Sequence, residues 1–192
     1  MSDKFTFNSA GQVHELEMAM DRVGGWDSRL VKMLCVGNNL GLVREILRGF
    51  FTVTPIEHLI DCDADPFIPS YLKEVVSHQR GGRFVFDPTK IKLHLSMDQT
   101  DGKYIKGTKL QKELTNEPVL NANVLDYLLD NPIIIPDEWK GKYIFFWGTV
   151  YRVSNGRLYV RCLCFDVGEW RSHYCWLDNA WFGDNPAAVR AS

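Results

Sequence analysis

Three runs of apolar, aromatic and β-branched residues lie between positions 143 and 177, and sequences typical of tight turns separate them. The first turn is Ser-Asn-Gly at 154–156 and the second is Asp-Val-Gly at 166–168. Short apolar runs divided by such turns are typical of antiparallel hairpins. The pattern therefore predicts a three-stranded antiparallel meander over residues 143–177.

Successive side chains of a strand point to opposite faces of the sheet, so the meander is expected to have two chemically different faces. With a four-residue turn at 166–169, the predicted cross-strand pairs are Cys162 with His173, Cys164 with Arg171, and Val160 with Cys175. A large apolar face is either core or a surface that favours association. The aromatic residues of one face and a tryptophan of the tail form the candidate binding surface: Tyr159, Phe165, Trp170, Tyr174, Trp176 and Trp181.

The opposite face of the meander gathers thiols and an imidazole, which are ligand types that zinc prefers. These residues are Cys162, Cys164, His173 and Cys175. Four ligands on one flat face fit a tetrahedron poorly, and known structural sites favour C-x₂₋₄-C knuckles over C-x-C within a strand. The favoured interpretation is that the small thiols pack beneath the sheet, and a metal site is the alternative.

The first 49 residues carry apolar positions at helical spacing and predict three helices. Gly24-Gly25 is expected to end the first helix, and Gly49 to end the third. Asp27 and Asn39 are the predicted N-caps of the second and third helices. The apolar stripes of the three helices are Val13, Leu16, Met20 and Val23; then Leu30, Val31 and Leu34; then Leu40, Val43, Ile46 and Leu47.

Residues 50–192 follow a mixed pattern, in which short strands and short helices alternate before the meander. The predicted strands lie at 50–54, 56–60, 83–86 and 91–95. The predicted helices lie near 71–77, after Thr108 and after Asn121, with one helical turn at 136–139 and an irregular tail from Asp178. Helices segregated from antiparallel strands indicate an α+β protein. We expect one compact domain with an N-terminal helical segment, a mixed middle region and the C-terminal antiparallel β-meander.

Composition narrows the function classes only slightly. The 192-residue chain is 45% hydrophobic and 24% charged, with a formal net charge of -2. A protein that binds nucleic acid by neutralising phosphates is expected to be basic, so nucleic acid is not the favoured partner. No apolar run reaches the roughly 20 residues that span a bilayer, and the first residues lack the pattern of a secretory signal. The five cysteines are expected to be reduced in a cytoplasmic protein.

A cluster of acidic residues follows the predicted strand at 56–60. His58, Asp61, Asp63 and Asp65 could hold a hard cation through carboxylate oxygens and serve a metal-dependent hydrolase. The calcium loop of an EF-hand requires a glycine and a glutamate where this segment has Pro66 and Leu72. The favoured interpretation is a turn that ends the strand, in which aspartates bond to nearby backbone groups.

Six segments carry a resemblance: PVLNANVLDYLLDNPIIIPDEWKGKYIFFWGTVYR at 118–152, LYVRCL at 158–163, WLDNAWFGDNPAAVRAS at 176–192, HLIDCDADPFIP at 58–69, RGGRFVFDPTK at 80–90 and GNNLGLVREILRG at 37–49. With these segments, the chain resembles a family of uncharacterised bacterial proteins from the small-genome candidate phyla. The resemblance covers nearly the whole chain and implies no activity, ligand or catalytic residue. The family pattern has more aromatic residues where this chain has Cys164, His173 and Cys175, which counts against a metal at that face.

The sequence favours a non-enzymatic binding or interaction module that uses the aromatic face and Trp181, with no cofactor and a protein as the expected partner. A high density of tyrosine and tryptophan is typical of interface hot spots. One alternative is the metal-dependent hydrolase built on residues 58–65. A second is a DNA-binding protein with a helix-turn-helix at 28–48, in which Arg44 and Arg48 would face the DNA.

Overall fold

The computed structural model describes residues 10–22, 26 and 28–191 of the chain. These residues belong to two compact units, Met1–Ile56 and Glu57–Ser192. The first unit is helical, and the second combines short helices with a mostly antiparallel sheet. The predicted α+β class is confirmed.

The N-terminal unit contains helices α1 (Ala10–Arg22), α2 (Ser28–Leu34) and α3 (Asn39–Leu47). The expected stop at 23–25 and the expected cap at Asp27 lie outside the described residues. The predicted cap of α3 is wrong by one residue, because Asn38 is the N-cap and makes no side-chain cap bond. Asn39 instead donates from Nδ2 to the Met33 carbonyl at 2.6 Å. This bond joins the end of α2 to the start of α3.

The C-terminal unit begins with strands β1 (Leu59–Asp61), β2 (Glu74–His78) and β3 (Arg83–Val85), and β1 pairs antiparallel with β3. The strand predicted at 50–54 does not form, and its large apolar side chains are exposed. The helix predicted near 71–77 is also wrong, since most of this segment is β2. Its residues pair antiparallel with a later strand, so a distant partner and not the local pattern decides the conformation.

The helices predicted after Thr108 and Asn121 are observed as α4 (Gly107–Glu113) and α5 (Ala122–Asp130). Asn121 is the N-cap of α5, and its Oδ1 accepts a hydrogen bond from the Asn123 amide at 3.2 Å. The single helical turn predicted at 136–139 is also present, as Asp137–Trp139. The predicted cap of α4 is wrong, because Thr108 lies inside the helix and the N-cap is Lys106, which makes no side-chain cap bond. For α5, the cap is a local signal, which explains why this helix could be predicted.

Seven strands form the main sheet in the order β2-β7-β8-β6-β11-β4, with β9 added on β8. In this sheet, β2 is joined by β4 (Ile91–His94), β6 (Ile144–Phe145), β7 (Thr149–Arg152), β8 (Leu158–Asp166), β9 (Glu169–Trp176) and β11 (Ala187–Arg190). A separate antiparallel pair is formed by β5 (Ile105–Lys106) and β10 (Ala180–Trp181). The predicted register of β8 against β9 is confirmed, with Cys162 opposite His173 and Val160 opposite Cys175. The tail is not irregular as predicted, since β11 lies between β6 and β4.

The first strand of the predicted meander is divided into β6 and β7 by residues 146–148. Gly148 donates its amide to the Leu120 carbonyl at 2.9 Å. A Cβ atom at this glycine would lie 2.9 Å from the Cα of Asn121. The start of α5 can therefore approach the sheet closely at Gly148, where a side chain would not fit.

Both faces of the main sheet are covered by apolar side chains. On one face, α5 packs over β8 in a core that includes Leu125, Leu128 and Leu163. On the other face, Leu110 of α4 and Trp181 of β10 lie in a second core. Because β8 contributes buried residues to both cores, its two alternating faces are both inaccessible over much of its length. Among the described helices, none has the length and apolar character needed to cross a membrane.

Candidate functional site

The predicted aromatic face divides into an exposed part and a buried part. The exposed part lies where β8 begins and β9 ends. Within it, Tyr159 and Trp176 are half-buried and lie opposite one another across the two strands. Tyr174 is 43% exposed, and its ring meets the ring of Tyr159 edge to face at a centroid distance of 5.4 Å. Arg157 lies over the Trp176 ring, with its guanidinium carbon 4.4 Å from the centroid.

The loop before β2 extends this exposed surface with residues that sequence analysis missed. Tyr71 is 43% exposed and stacks on Tyr174 at a centroid distance of 4.1 Å. Phe67 is 63% exposed in the same loop, next to the exposed Ile68. We call the set Phe67, Tyr71, Tyr159, Tyr174 and Trp176 the aromatic patch. The available signal was the proline-flanked sequence PFIPSY at 66–71, which is apolar without the period of a strand or a helix.

A buried ion pair lies beneath the aromatic patch. Arg161 of β8 donates two hydrogen bonds to the carboxylate of Asp126 in α5, at 3.0 and 2.6 Å. Burial lowers the pKa of Arg161, but the hydrogen bond and charge of Asp126 outweigh it, so the pKa is above its ordinary value. The Tyr151 hydroxyl donates to the Phe67 carbonyl at 3.1 Å. The loop that carries Phe67 is therefore tied to the sheet.

Strand β9 is paired on one side only. It is hydrogen-bonded to β8 along its length, and no other described strand pairs with it. The outer edge therefore presents backbone amides and carbonyls next to the aromatic patch. Such an edge can accept an additional strand from another chain.

Two residues of the predicted binding surface are buried, so the prediction that they contact a partner is wrong. Trp170 packs in the core beneath α5, where Phe165 meets it edge to face at 5.3 Å. Trp181 is fully buried on the opposite face of the sheet, against Phe145 and Trp147. The alternation pattern predicts the correct face of the sheet for Trp170. It cannot show that α5 covers this face around Trp170.

The predicted zinc ligands are not arranged as a metal site. Cys162 and Cys164 are buried, whereas His173 is exposed. Burial raises the pKa of the Cys162 and Cys175 thiols. The Sγ of Cys175 accepts a hydrogen bond from Nδ2 of Asn179 at 3.4 Å. Among residues 10–22, 26 and 28–191, no group of three or more His, Cys, Asp or Glu side chains is placed to hold a metal ion.

The acidic cluster at 58–65 has the geometry of a turn. Asp61 accepts the Asp63 amide at 2.9 Å, and Asp63 accepts the Gly82 amide at 2.9 Å. Asp65 forms an exposed ion pair with Arg80 at 3.2 Å, and Nδ1 of His58 lies 3.0 Å from the Tyr127 hydroxyl. Each predicted ligand therefore has a separate partner, and the carboxylates do not converge on one point.

A polar network that sequence analysis missed joins this turn to the sheet. His78 of β2 lies 2.8 Å from the Thr149 hydroxyl through Nδ1 and 3.2 Å from the Cys62 carbonyl through Nε2. Asn121 donates to the same carbonyl at 2.9 Å. Thr149 accepts the Ala122 amide at 3.0 Å, and Nε2 of His78 donates to the Cys62 carbonyl because a carbonyl can only accept. With both ring nitrogens engaged, His78 positions the backbone around it.

The helix pair predicted to bind DNA is present as α2 and α3. Both cations proposed to face DNA contact the same carboxylate: Arg44 lies 2.6 Å and Arg48 3.6 Å from Glu45. Their charge is therefore partly neutralised within the helix. A basic face of the kind that binds phosphates is not formed by these two residues.

Comparison of the chain with protein-family models, curated proteins and solved structures finds no match. The resemblance to the bacterial family therefore stays a prediction. The candidate site rests on the geometry of the aromatic patch and the adjoining edge of β9.

Proposed function

We propose that this chain is a non-enzymatic binding module whose aromatic patch contacts a protein partner. The observation that carries the proposal is the stacked pair of Tyr71 and Tyr174, whose rings are both 43% exposed. Large apolar surface left in water is unfavourable, and contiguous exposed patches mark interaction sites. Tyrosine and tryptophan are enriched among the residues that dominate binding energy.

The patch is supported by a rigid base, which favours binding. Tyr159, Tyr174 and Trp176 lie on paired strands, and Tyr71 is held by its contact with Tyr174. Beneath them, Arg161 and Asp126 are joined by two hydrogen bonds. Little side-chain freedom is left to lose on association, so less of the interaction energy is spent on ordering.

The charges around the patch favour protein over single-stranded nucleic acid. Platforms that bind single strands combine aromatic rings with a groove of available cations. Here Arg161 is bound to Asp126, Arg152 forms an ion pair with Glu74 at 2.7 Å, and Arg157 lies against the face of the Trp176 ring. The free edge of β9 instead suits an extended peptide segment, whose backbone would pair with β9 while its apolar side chains cover the patch.

The test uses a photo-cross-linking amino acid placed at Tyr174 in cells that naturally express the chain. A protein captured at this position is identified, purified and titrated against the unmodified chain and the Tyr174→Ser variant. We expect Tyr174→Ser to weaken binding by about tenfold or more, because truncation of a central hot-spot residue costs on the order of 2 kcal/mol.

Tyr104 provides the matched control, since it is an exposed tyrosine outside the patch. Cross-linking at Tyr104 should not capture the same protein, and Tyr104→Ser should leave its affinity unchanged. Capture that is equal at both positions, or an affinity that does not depend on Tyr174, would refute the proposal. Binding of a poly-dT oligonucleotide or a glycan that is lost in Tyr174→Ser would instead assign the patch to that ligand.

A further inference from the structure

The N-terminal unit has many apolar side chains and no buried ones among its described residues. Val13 and Leu16 of α1 are exposed, as are Leu40 and Val43 of α3, and Leu47 of α3 is 82% exposed. These positions are spaced three and four residues apart, so each helix presents an apolar stripe. The stripes have the a-and-d spacing by which helices pair with one another.

Helices of this length need a partner surface. They contain 13, 7 and 9 residues, and isolated helices shorter than about 12 to 15 residues are marginal in water. Most helical stability comes from burying an apolar face against another element. An apolar groove of about 290 Å³ lies along α2, lined by Trp26, by Leu30, Met33 and Leu34 of α2, and by Asn39 at the start of α3. This groove has the character to receive the apolar stripe of another helix.

The charges of the helices identify what fits this surface. Helix α1 contains Glu15, Glu17 and Asp21 against the single cation Arg22, so it is acidic. The segment that spans α2 and α3 carries Lys32, Arg44 and Arg48 against Glu45, so its net charge is positive even though Arg44 and Arg48 both contact Glu45. An acidic helix with an apolar stripe therefore complements a basic helix pair with an apolar groove, and one chain carries both.

We propose that the N-terminal unit binds a second copy of this chain, with α1 of each copy on the α2–α3 pair of the other. Such a reciprocal contact closes with twofold symmetry. This contact would bury the exposed apolar side chains of both stripes and of the groove, and a standard interface buries about 800 Å² per partner. This inference is independent of the aromatic patch, which belongs to the other unit.

Two charged residues flank the stripes and allow a sharp test. Glu17 follows Leu16 in α1, and Arg44 follows Val43 in α3, so both occupy the position after a d residue. In sedimentation velocity from 1 to 100 µM, the full chain should be dimeric. Glu17→Lys and Arg44→Glu should each weaken the dimer by about tenfold or more, because like charges then face each other.

Mixing the two single variants should restore a dimer, because one contact then joins the two reversed charges and the other joins the native Glu17 and Arg44. The control is Glu15→Lys, which makes the same charge change on the side of α1 away from its stripe and should weaken the dimer much less than Glu17→Lys does. A monomeric full chain at 100 µM would overturn the proposal. A second result would also overturn it: the double variant Glu17→Lys/Arg44→Glu forms a dimer, and the mixture of the two single variants does not. Positions 17 and 44 would then meet within one chain and not between two copies.

Discussion

Arg161 carries a charge in the middle of a strand that is otherwise apolar on both faces. Its side chain is only 4% exposed, and the Asp126 carboxylate that binds it is 28% exposed. Removing a charge from water costs several kcal/mol unless the group is paired and hydrogen-bonded. Two bonds to Asp126 and a third to the Ser172 hydroxyl at 3.3 Å provide that compensation. The pair also fixes α5 against β8.

Replacing Asp126 by alanine should therefore lower the free energy of unfolding by about 2 to 4 kcal/mol, because the Arg161 charge would be left without its partner. Equilibrium unfolding in urea measures the change. Asp130→Ala is the matched control at the exposed end of the same helix, with an expected change under about 0.5 kcal/mol. Equal effects of the two substitutions would show that the ion pair does not stabilise the fold.

At the scale of elements, the turn at 61–65 has closely spaced aspartates, a sequence pattern that metal sites and turns share. Asp61 and Asp63 each accept a backbone amide, so their carboxylates bond within the turn and with the loop before β3. One oxygen of each carboxylate is used in this way. The same bonds connect β1 to the start of β3.

Asp63→Asn retains an oxygen that can accept the Gly82 amide, so we expect stability to change by only a few tenths of a kcal/mol. Asp63→Ala removes the acceptor and should cost about 1 kcal/mol. Millimolar Mg²⁺, Mn²⁺ or Ca²⁺ should not raise the melting temperature of the unmodified chain. A rise that Asp63→Asn abolishes would show that the turn binds a cation in the folded state.

Elements defined by local signals could be predicted, and those defined by distant partners could not. Asn121 and the apolar stripe after it are enough to predict α5, and the turn at 166–169 is enough for the register of β8 and β9. By contrast, β2 exists because it pairs with β7, and β11 because it lies between β6 and β4. The candidate site is divided in the same way. Tyr159, Tyr174 and Trp176 follow from strand alternation, whereas Phe67 and Tyr71 come from a distant loop.

At the scale of the whole molecule, the five cysteines are divided between the two units, so the reactivity of each thiol measures the accessibility of one unit. Cys35 lies in the N-terminal unit and is exposed. The C-terminal unit contains the buried Cys62, Cys162 and Cys164 and the half-buried Cys175. Burial raises the pKa of these four thiols, which further reduces the reactive thiolate at neutral pH.

A thiol reagent added to the native protein without reductant should therefore label Cys35 rapidly and the three buried cysteines only as the C-terminal unit unfolds. In denaturant, all five thiols should react, because the structure contains five free cysteines. Mass spectrometry over time follows the labelling of each residue. Cys35→Ser should abolish the fast phase and leave the slow phases unchanged. Fewer than five reactive thiols in denaturant would reveal a disulfide, and rapid labelling of Cys162 in native buffer would contradict its burial between the sheet and α4.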